Sequence, residues 1–474
     1  MAGSVQVTPG FQLQPSSEQV PLSTNYITNF DFLNQYLPDT YEKEFERYGN
    51  RTVSSFLRMV GAEMPSNSDL IKWAEQGRLH TKYTQVGTGA LVNADTAQFQ
   101  VNDALNVGTG SYNDIAIRVG QTVFIDQNDG SGSNKAIVTA VDTTAAPNTF
   151  DVAFYEAGGL VTAGTGAGNA DVTVFIYGSE FAKGTNGMVG SLEAEDEIFE
   201  TSPIILKDKY AVNGSDMAQI GWIEVTTENG ATGYLWYLKS EHETRLRFDD
   251  YLETSMLEAV PAEAAGGAIG AGYKGTEGIF YVIENRGNVW SGGIPTALAD
   301  FDSIISRLDK QGAIEENVIF VNRDFSFAID DMLAAQNSYG GGGTSYGLFD
   351  NDEQMALNLG FTGFRRGYDF YKSDWKYLND PTMRGGLASG GINGMMVPAG
   401  STTVYDQVLG KNAKRPFLHV RYRASETEDR RYKTWITGSA GGAMNSDLDA
   451  MEVHFLSERA VCTMGANNFF LFQD

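Results

Sequence analysis

The sequence predicts an α+β protein built from several units. Three features indicate this class: a long helical pattern from Ala231 to Ala259, short β-rich runs between Leu79 and Thr227, and strand–helix alternation after Gly278. The chain has 474 residues, of which 42% are hydrophobic and 20% are charged. It can therefore bury sizeable cores, but it is too long for one ordinary core, so we expect about two to four units.

The N-terminal region predicts an extended arm followed by short helices. Residues Met1 to Asn25 are polar and show little periodicity, which is typical of an arm. Helical patterns follow from Thr52 to Val60, ending at Gly61, and from Leu70 to Gln76, ending at Gly77. Helices this short are unstable alone, so we expect them to dock on another element.

The next stretch predicts a small β domain, either a sandwich or a barrel. Its short strands are separated by glycine, asparagine and aspartate clusters. The predicted strands are Gln98–Val101, Thr122–Ile125, Lys135–Val141, Phe150–Phe154 and Val172–Tyr177. Beyond them, Pro203–Val212 and Gln219–Val225 flank Asn213-Gly214 and predict a hairpin, with a connection of two residues or longer. The charged run Lys207–Lys209 is typical of an edge strand, where it discourages unwanted pairing.

The helix predicted from Ala231 to Ala259 is the longest element. Its apolar positions recur at spacings of three and four, so they share one stripe. These positions are Leu235, Leu238, His242 and Leu246. Asn229 is a candidate cap, and Pro261 ends the pattern. We expect a spine against which other elements pack. Half of a coiled coil is the weaker alternative, because the stripe breaks near Asp249 and Asp250.

After the hinge-like stretch Pro261–Gly272, the chain predicts a mixed α/β domain and then closing strands. The predicted elements are strand Gly278–Ile283, helix Pro295–Lys310, strand Asn317–Val321 and helix Asp324–Ala335. The late strands are Pro416–Arg423, Arg431–Ile436, Met451–Phe455 and Asn468–Phe472.

The charge balance restricts the function classes. Acidic residues outnumber basic ones 60 to 34, giving a net charge of -26. Proteins that wrap nucleic acid neutralise phosphates and are basic, so this class is disfavoured. The charge suits a soluble protein whose self-repulsion prevents premature association, or a container wall that does not grip polyanionic contents.

Cysteine content and hydropathy narrow the classes further. The single cysteine, Cys462, excludes an internal disulfide framework and fits folding in a reducing cytoplasm. No apolar run reaches the roughly 18 residues of a membrane span, and no secretion signal opens the chain, so no membrane partner is expected.

Two glycine-rich runs and one acidic turn resemble ligand loops only in part. Tyr339–Gly347 lacks the Gly-Lys-Ser/Thr ending of a phosphate loop, and no Rossmann-type unit surrounds Gly164, Gly166 and Gly168. The start of a calcium loop is present, but its later glutamate is missing. The residues of this start are Asp126, Asn128, Asp129 and Gly130. An ordinary turn is the preferred interpretation, and a bound cation is the alternative.

The remaining candidates also lack a catalytic or metal-binding pattern. The histidines form no HExxH pair, the acidic cluster is typical of a solvated loop, and the tryptophans are scattered core or interface anchors. These residues are His80, His242, His419 and His454; Glu193, Glu195, Asp196 and Glu197; and Trp73, Trp222, Trp236, Trp290, Trp375 and Trp435. Cys462 fits a buried structural thiol. We therefore predict no enzyme, no cofactor and no catalytic or metal-binding residues.

The order of elements resembles a known family. An arm, a long β excursion, a long helix, an α/β domain and closing strands follow one another, as in the major capsid protein of tailed bacteriophages with its Hong Kong 97-like fold. Two stretches are similar to capsid proteins of crAss-like phages: NRTVSSFLRMVGAEMPSNSDLIKWAEQGRLHTKY, Asn50 to Tyr83, and VHFLSERAVCTMGANNFFLF, Val453 to Phe472.

The resemblance implies a division of the chain. It places an N-terminal arm at 1–50, short peripheral helices at 51–86, an inserted β domain at 87–178, an extended loop at 179–227, the spine helix and peripheral domain at 228–277, the axial domain at 278–415 and a return to the peripheral domain at 416–474. Residues 87–178 exceed what a simple extended loop needs, so an insertion is inferred there. No long helical scaffolding segment precedes the arm, which indicates a separate scaffold or an already processed chain.

The resemblance also implies a function. The chain would self-assemble, in the host cytoplasm, into pentamers and hexamers of the icosahedral head shell around double-stranded DNA, without sequence-specific DNA contact. Scaffold, portal and decoration proteins would be its partners, and it would reside in the virion. A phage tail, fibre or adhesin-type structural protein is the alternative, and an α/β enzyme is the third class considered.

Overall fold

The computed structural model describes most of the chain outside the N-terminal region and several loops. The described residues are 56, 62–88, 96–101, 115–128, 130, 132–143, 148–157, 160, 172–190, 192, 196–218, 225–226, 232–233, 236–262, 272–312, 314–337, 362–387, 391–406, 411–442 and 444–474. The predicted arm and nearly all of the predicted helix Thr52–Val60 lie outside them. Within these ranges, no helix is long and apolar enough to cross a bilayer.

Strands dominate the described residues. The helices are α1 Gly214–Met217, α2 Trp236–Glu258, α3 Ile279–Arg286, α4 Leu298–Gln311, α5 Arg323–Asn337 and α6 Lys376–Asn379. The first strands are β1 Ala62–Ser66, β2 Ile71–Gln76, β3 Lys82–Thr88, β4 Thr96–Val101, β5 Gln121–Gln127, β6 Ser133–Asp142, β7 Thr149–Phe154, β8 Val172–Ser179, β9 Asp196–Thr201, β10 Ile204–Asn213, β11 Val225–Thr226 and β12 Thr232–Gly233. The later strands are β13 Asn288–Trp290, β14 Glu316–Val321, β15 Gly363–Arg366, β16 Tyr368–Asp374, β17 Ile392–Pro398, β18 Ser401–Asp406, β19 Lys411–Pro416, β20 Leu418–Arg423, β21 Lys433–Gly438, β22 Ala450–Thr463 and β23 Phe470–Gln473. Two 3-10 turns, Arg384–Gly386 and Ala466–Asn468, complete the set.

The chain divides into two compact units. The smaller unit comprises Met1–Thr52, Lys207–Asp250 and Lys433–Phe455, and the larger one comprises Val53–Leu206, Tyr251–Tyr432 and Leu456–Asp474. The chain passes between them within β10, α2 and β22, so these elements contribute residues to both units.

In the smaller unit, Asn213-Gly214 does not form a two-residue hairpin turn, and a longer connection to the predicted second strand stays a prediction. Asn213 ends β10, and the chain turns directly into the short helix α1. The backbone explains this turn, because the Gly214 N–H donates to the Asp449 carbonyl at 3.2 Å and the Asp449 side chain occupies the space that a Cβ at Gly214 would need. Residues 219–224, the predicted second strand, lie outside the described residues.

The predicted long helix is present but shorter at its start. It begins at Trp236, because Thr232–Gly233 instead pairs with Val225–Thr226 as a short antiparallel bridge. In the smaller unit, the helix is fixed by Arg247, whose Nη2 lies 3.0 Å from Asp208 of β10, and by Phe248, whose ring centroid lies 5.8 Å from that of Phe455.

The larger unit contains a six-stranded mixed sheet in the order β13-β23-β17-β14-β16-β15. One apolar core lies between this sheet and helices α4 and α5; its large side chains include Phe301, Phe325, Phe370, Phe470 and Phe472. A second core joins the sheet to α3 and to the C-terminal end of α2. It includes Phe56, Phe280, Phe320, Trp375 and Phe469. The predicted helices Pro295–Lys310 and Asp324–Ala335 correspond to α4 and α5.

Two elements of the larger unit have the opposite type from the one predicted. Residues Gly278–Ile283 were predicted as a strand, but α3 begins there. A short apolar run fits a buried helix as well as a strand, and Ile279, Phe280, Val282 and Ile283 are all buried on α3. Leu70–Gln76 was predicted as a helix, but Ile71–Gln76 is strand β2, with half-buried and exposed residues alternating along it.

Strands β3 to β8 form a closed antiparallel barrel in the order β3-β4-β7-β6-β5-β8. Every second side chain points inward, as on Thr96–Val101, where Ala97, Phe99 and Val101 are buried. The rings of Phe99 and Phe150 stack at 5.5 Å in its core. The structure thus decides between the predicted sandwich and barrel. Lys82–Thr88, which was not among the predicted strands, supplies the strand between β4 and β8.

The closing strands form a further sheet, in which β20 lies between β1 and β22. Strand β1 is parallel to β20, and β22 is antiparallel to it. The predicted strand Met451–Phe455 covers only part of β22, which runs from Ala450 to Thr463 because its apolar residues continue to Cys462.

Candidate assembly surfaces

The four histidines lie at separate places in the structure, and only His419 is next to Cys462. His80 is exposed before the barrel, and His242 lies on α2. His419 is buried on β20 opposite Cys462 of β22, and its Nδ1 is 3.2 Å from the Pro416 carbonyl oxygen. His454 stacks on Trp435 at 5.0 Å and lies 2.8 Å from Thr437 Oγ1. Among the described residues, no three His, Cys, Asp or Glu side chains are grouped to hold a metal ion.

The calcium-like stretch forms the turn between β5 and β6. Asp126 pairs in register with Ser133, and the Gly130 N–H donates to the Gln127 carbonyl at 2.9 Å. The Asn128 side chain accepts a hydrogen bond from Thr173 Oγ1 at 2.7 Å. These contacts are those of a strand connection, and the bound cation stays an untested alternative. Asp129, Glu193, Glu195 and both glycine-rich runs lie outside the described residues.

Strands β2 and β9 form a two-stranded antiparallel ribbon, which the sequence patterns did not predict. Trp73 pairs with Phe199 across it, with ring centroids 6.2 Å apart. The Arg286 guanidinium lies 4.1 Å from the centre of the Phe199 ring and ion-pairs with Glu277 at 2.7 Å. Burial raises the pKa of the Glu277 carboxyl, and Arg286 opposes that rise. One face of the ribbon is therefore anchored by aromatic and cation–π contacts.

The opposite face of the ribbon is exposed. Lys72 and Glu200 form an ion pair of 2.8 Å across it, and Ala74 pairs in register with Ile198. Ile198 is 66% exposed, and Leu79, just beyond the ribbon, is 87% exposed. This face combines an exposed isoleucine with a charged pair, a composition typical of a contact surface.

The ribbon is also where the chain leaves for the barrel and returns from it. Gln76 and Asp196 are the last paired residues, and the barrel strands lie between them in sequence. An open cavity of about 690 Å³ lies at this end, lined in part by Glu75, Asp196, Glu197 and Arg286. Glu75 accepts hydrogen bonds from Trp73 Nε1 and from the Gly465 N–H, both at 2.9 Å.

Among the described strands, β10 ends its sheet next to β22, which is the edge position predicted for Lys207–Lys209. Its residues alternate between half-buried and exposed, and both lysines are on the exposed side. Lys209 Nζ lies 3.1 Å from Glu452 Oε1 on the neighbouring strand. The outer edge offers backbone donors and acceptors to an added strand.

A third exposed surface lies around the loop between β21 and β22. Met444 is 91% exposed, and Leu448 and Ile436 are 51% and 43% exposed. Asn445 fixes this loop: its Oδ1 accepts from the Gly438 N–H at 2.8 Å, and its Nδ2 donates to the Ile436 carbonyl at 3.1 Å. The loop therefore presents apolar side chains in a defined conformation.

No protein-family model and no curated protein matches the sequence. Several solved structures are similar in outline. A structure from Microbacterium phage Oxtober96 is 10% identical with a TM-score of 0.39, covering 93% of this chain and 97% of that chain. The capsid of a native GTA particle is 8% identical with a TM-score of 0.41, covering 95% and 99%. The capsid of Cyanophage P-SCSP1u is 10% identical with a TM-score of 0.34, covering 63% and 80%. All three TM-scores are below 0.5, so these likenesses do not assign a function to this chain.

Proposed function

We propose that this chain is a major capsid protein, which assembles with further copies of itself into pentamers and hexamers of the icosahedral head of a tailed phage. The order of its elements and the stretches Asn50–Tyr83 and Val453–Phe472 resemble that family. The observation that carries the proposal is the ribbon of β2 and β9, which is anchored on one face and exposes Ile198 on the other.

A partner that covers the exposed face would stabilise such a ribbon. An isolated two-stranded ribbon is marginally stable, and burying exposed Ile and Leu side chains against a partner lowers the free energy. A second copy of the chain would supply that cover. Weak contacts of this kind become strong when a closed symmetric shell repeats them many times. The outer edge of β10, which pairs with no other described strand, and the apolar loop around Met444 provide further contact surfaces of modest size.

The charge of the chain suits a wall around DNA. A net charge of -26 repels a polyanion, so DNA would be enclosed without tight or sequence-specific binding. A scaffold, a portal and decoration proteins are the partners that such a shell would need. The crAss-like subgroup stays a prediction from sequence.

The direct test is assembly. We would express the full chain with and without its candidate scaffold and image the products by negative-stain electron microscopy. Closed shells, or five- and six-fold rings, are the expected products. Monomers or rods under both conditions would contradict the proposal, and rods would favour the tail, fibre or adhesin alternative.

A matched pair of variants tests the ribbon itself. Ile198→Asp places a charge on the exposed face of the ribbon, so assembly should fail while the subunit stays folded, because no core contact is lost. Val119→Asp makes the same kind of change at an exposed turn of the barrel, where Val119 is 44% exposed, and should assemble normally. Circular dichroism checks the fold of both variants. Normal shells from Ile198→Asp would show that the ribbon face is not an interface.

A further inference from the structure

One wall of the barrel carries an open groove of about 570 Å³ that the proposed assembly does not use. Its lining residues lie on strands β5, β6 and β8 and in the segments that directly follow β7 and β8. They include Thr122, Lys135, Tyr155, Glu156, Tyr177 and Glu180. Tyr155 and Tyr177 are 47% and 48% exposed. Two half-exposed aromatic rings beside charged groups form a surface that is neither a packed core nor an ordinary solvated strand face.

A β-bulge places Tyr177 at the groove. Thr122 of β5 pairs with Gly178 of β8, whereas the next residue, Val123, pairs with Ile176. Tyr177 is therefore the additional residue on β8, with no register partner on β5. Bulges redirect a side chain at the cost of local pairing, and they are common beside binding sites. Gly178 adds no side chain beside Thr122; a Cβ there would lie 3.2 Å from Thr122 Oγ1.

A hydrogen bond from Tyr155 spans the groove. Tyr155 follows β7 and Glu180 follows β8, two strands that β6 and β5 separate in the barrel. The Tyr155 hydroxyl nevertheless donates to Glu180 Oε2 at 2.5 Å. The Tyr155 N–H also donates to the Lys135 carbonyl at 3.1 Å, so this aromatic side chain is held in place at both its backbone and its hydroxyl. Preorganised walls lower the entropy cost of binding a ligand.

We infer that this groove binds a neutral oligosaccharide. The tyrosine rings offer flat apolar faces to the C–H faces of sugar rings. Glu156 and Glu180 supply acceptors, Lys135 supplies donors, and the hydroxyls of Thr122 and Ser179 supply both. This mixture of donors and acceptors around aromatic walls matches a ligand that carries many hydroxyl groups on an apolar ring.

The charges in the groove disfavour an anion such as phosphate, which would meet two carboxylates and only one ammonium group. A cation would find Glu180 already engaged by the Tyr155 hydroxyl and would meet Lys135 beside Glu156. An apolar peptide segment would find no aliphatic side chain among the lining residues. The inference does not depend on shell assembly, so the two proposals can fail separately.

Saturation-transfer difference NMR on the purified full chain tests this inference, with maltotriose, mannotriose and chitotriose as probes. We expect transfer to the ring protons of at least one of these sugars. Tyr177→Ala should weaken the affinity by about fivefold or more, because it removes one aromatic wall. Tyr155→Phe keeps the ring but loses the bond to Glu180, so we expect a smaller loss.

Tyr273→Ala is the matched control, because Tyr273 is 74% exposed and lies outside the groove. It should leave the signal unchanged, and circular dichroism should show all three variants folded. If none of the three sugars gives a signal that Tyr177→Ala reduces, the inference is overturned. Choline or inorganic phosphate giving a Tyr177-dependent signal while the sugars give none would assign a charged ligand and also overturn it.

Discussion

Charged side chains inside the larger unit are held in close pairs, and Lys372 with Asp330 is the most enclosed of those described. Lys372 Nζ lies 2.5 Å from Asp330 Oδ1, and the two side chains are 10% and 11% exposed. Lys372 also lies 3.4 Å from the Ser326 carbonyl oxygen. A buried pair need not add net stability, but removing one partner leaves a charge in an apolar environment.

Asp330→Ala should therefore destabilise the region around α5 and β16 by about 3 kcal/mol. Because a chain of several units need not unfold in one step, hydrogen exchange of the α5 and β16 amides is the appropriate measurement. The control is Arg365→Ala, which breaks the Arg365–Asp369 pair of 3.2 Å, where Arg365 is 72% exposed. Exposed pairs contribute little, so exchange should barely change. Equal effects of the two variants would contradict the assigned role of burial.

Tyr155 should ionise at higher pH than an ordinary tyrosine. Burial, together with its hydrogen bond to Glu180, raises its pKa from 10.0 to about 12. A pKa raised by folding means that this group's contribution to stability is complete below pH 10 and is lost as the pH rises through 12. Tyrosinate absorbance is measured against pH for the full chain and for Tyr155→Phe, and the difference between the two curves is the ionisation of Tyr155. We expect this transition near pH 12. A transition near pH 10 would contradict the hydrogen bond.

At the level of elements, the ribbon depends on its anchored face. Trp73→Ala removes the partner of Phe199 and one of the rings beside Arg286. Trp73 is only half buried, so we expect a cost of about 2 kcal/mol, less than the roughly 3–5 kcal/mol for a fully buried aromatic residue. Exchange of the β2 and β9 amides should accelerate while β14 stays protected. Lys72→Ala, on the exposed face of the same strand, is the control and should leave the exchange of both strands unchanged.

The helices and strands also show which sequence patterns were sufficient to predict the type of an element. Long helical patterns identified α2, α4 and α5, because a pattern repeated over several turns has one interpretation. The predicted apolar stripe of α2 is wrong, because Leu238, His242 and Leu246 are only half buried. The buried residues Phe248, Leu252 and Met256 form a stripe that is displaced around the helix from the predicted one.

Short runs did not identify the element type. Leu70–Gln76 has the candidate caps Ser66 and Ser68 before it and Gly77 after it, yet cross-strand packing of Trp73 on Phe199 makes it a strand. Tertiary contacts outweigh local signals in such short segments.

The surfaces were less predictable than the elements. Lys207–Lys209 marked an edge strand because charge on an edge strand leaves a local pattern. The ribbon joins residues near position 70 with residues near 200, and the groove joins the ends of β7 and β8, so no local pattern reports either. The bulge at Tyr177 likewise depends on register with β5, which appears only in three dimensions.

For the whole molecule, the barrel should be removable. Replacing residues 77–195 by Asn-Gly joins Gln76 to Asp196, which already pair in register, through a turn suited to a two-residue hairpin. The shortened chain should keep the two cores that pack on the six-stranded sheet, and it should lose sugar binding. Circular dichroism and thermal melting, compared with the full chain, measure this. Aggregation of the shortened chain would show that the barrel stabilises the remainder.

Salt should promote assembly of the shell. Copies that each carry a net charge of -26 repel one another, and raising the salt from 0.1 M to 1 M shortens the screening length from about 10 Å to about 3 Å. Light scattering of the full chain should therefore rise faster at the higher salt concentration. Slower assembly at high salt would indicate that ion pairs, and not apolar contacts, hold the copies together.

The position of the barrel between β2 and β9 has a consequence for the order of folding. Its first and last strands are neighbours, since Lys82 pairs with Phe175, so a folded barrel brings its two chain ends together. Closing the ribbon across an unfolded segment of about 120 residues costs more entropy than closing it across the roughly 20 residues that remain outside the barrel once it has formed. The difference is about 1.5 kcal/mol. If the barrel folds first, it holds the two ends of the ribbon close together and lowers the free-energy barrier to pairing β2 with β9.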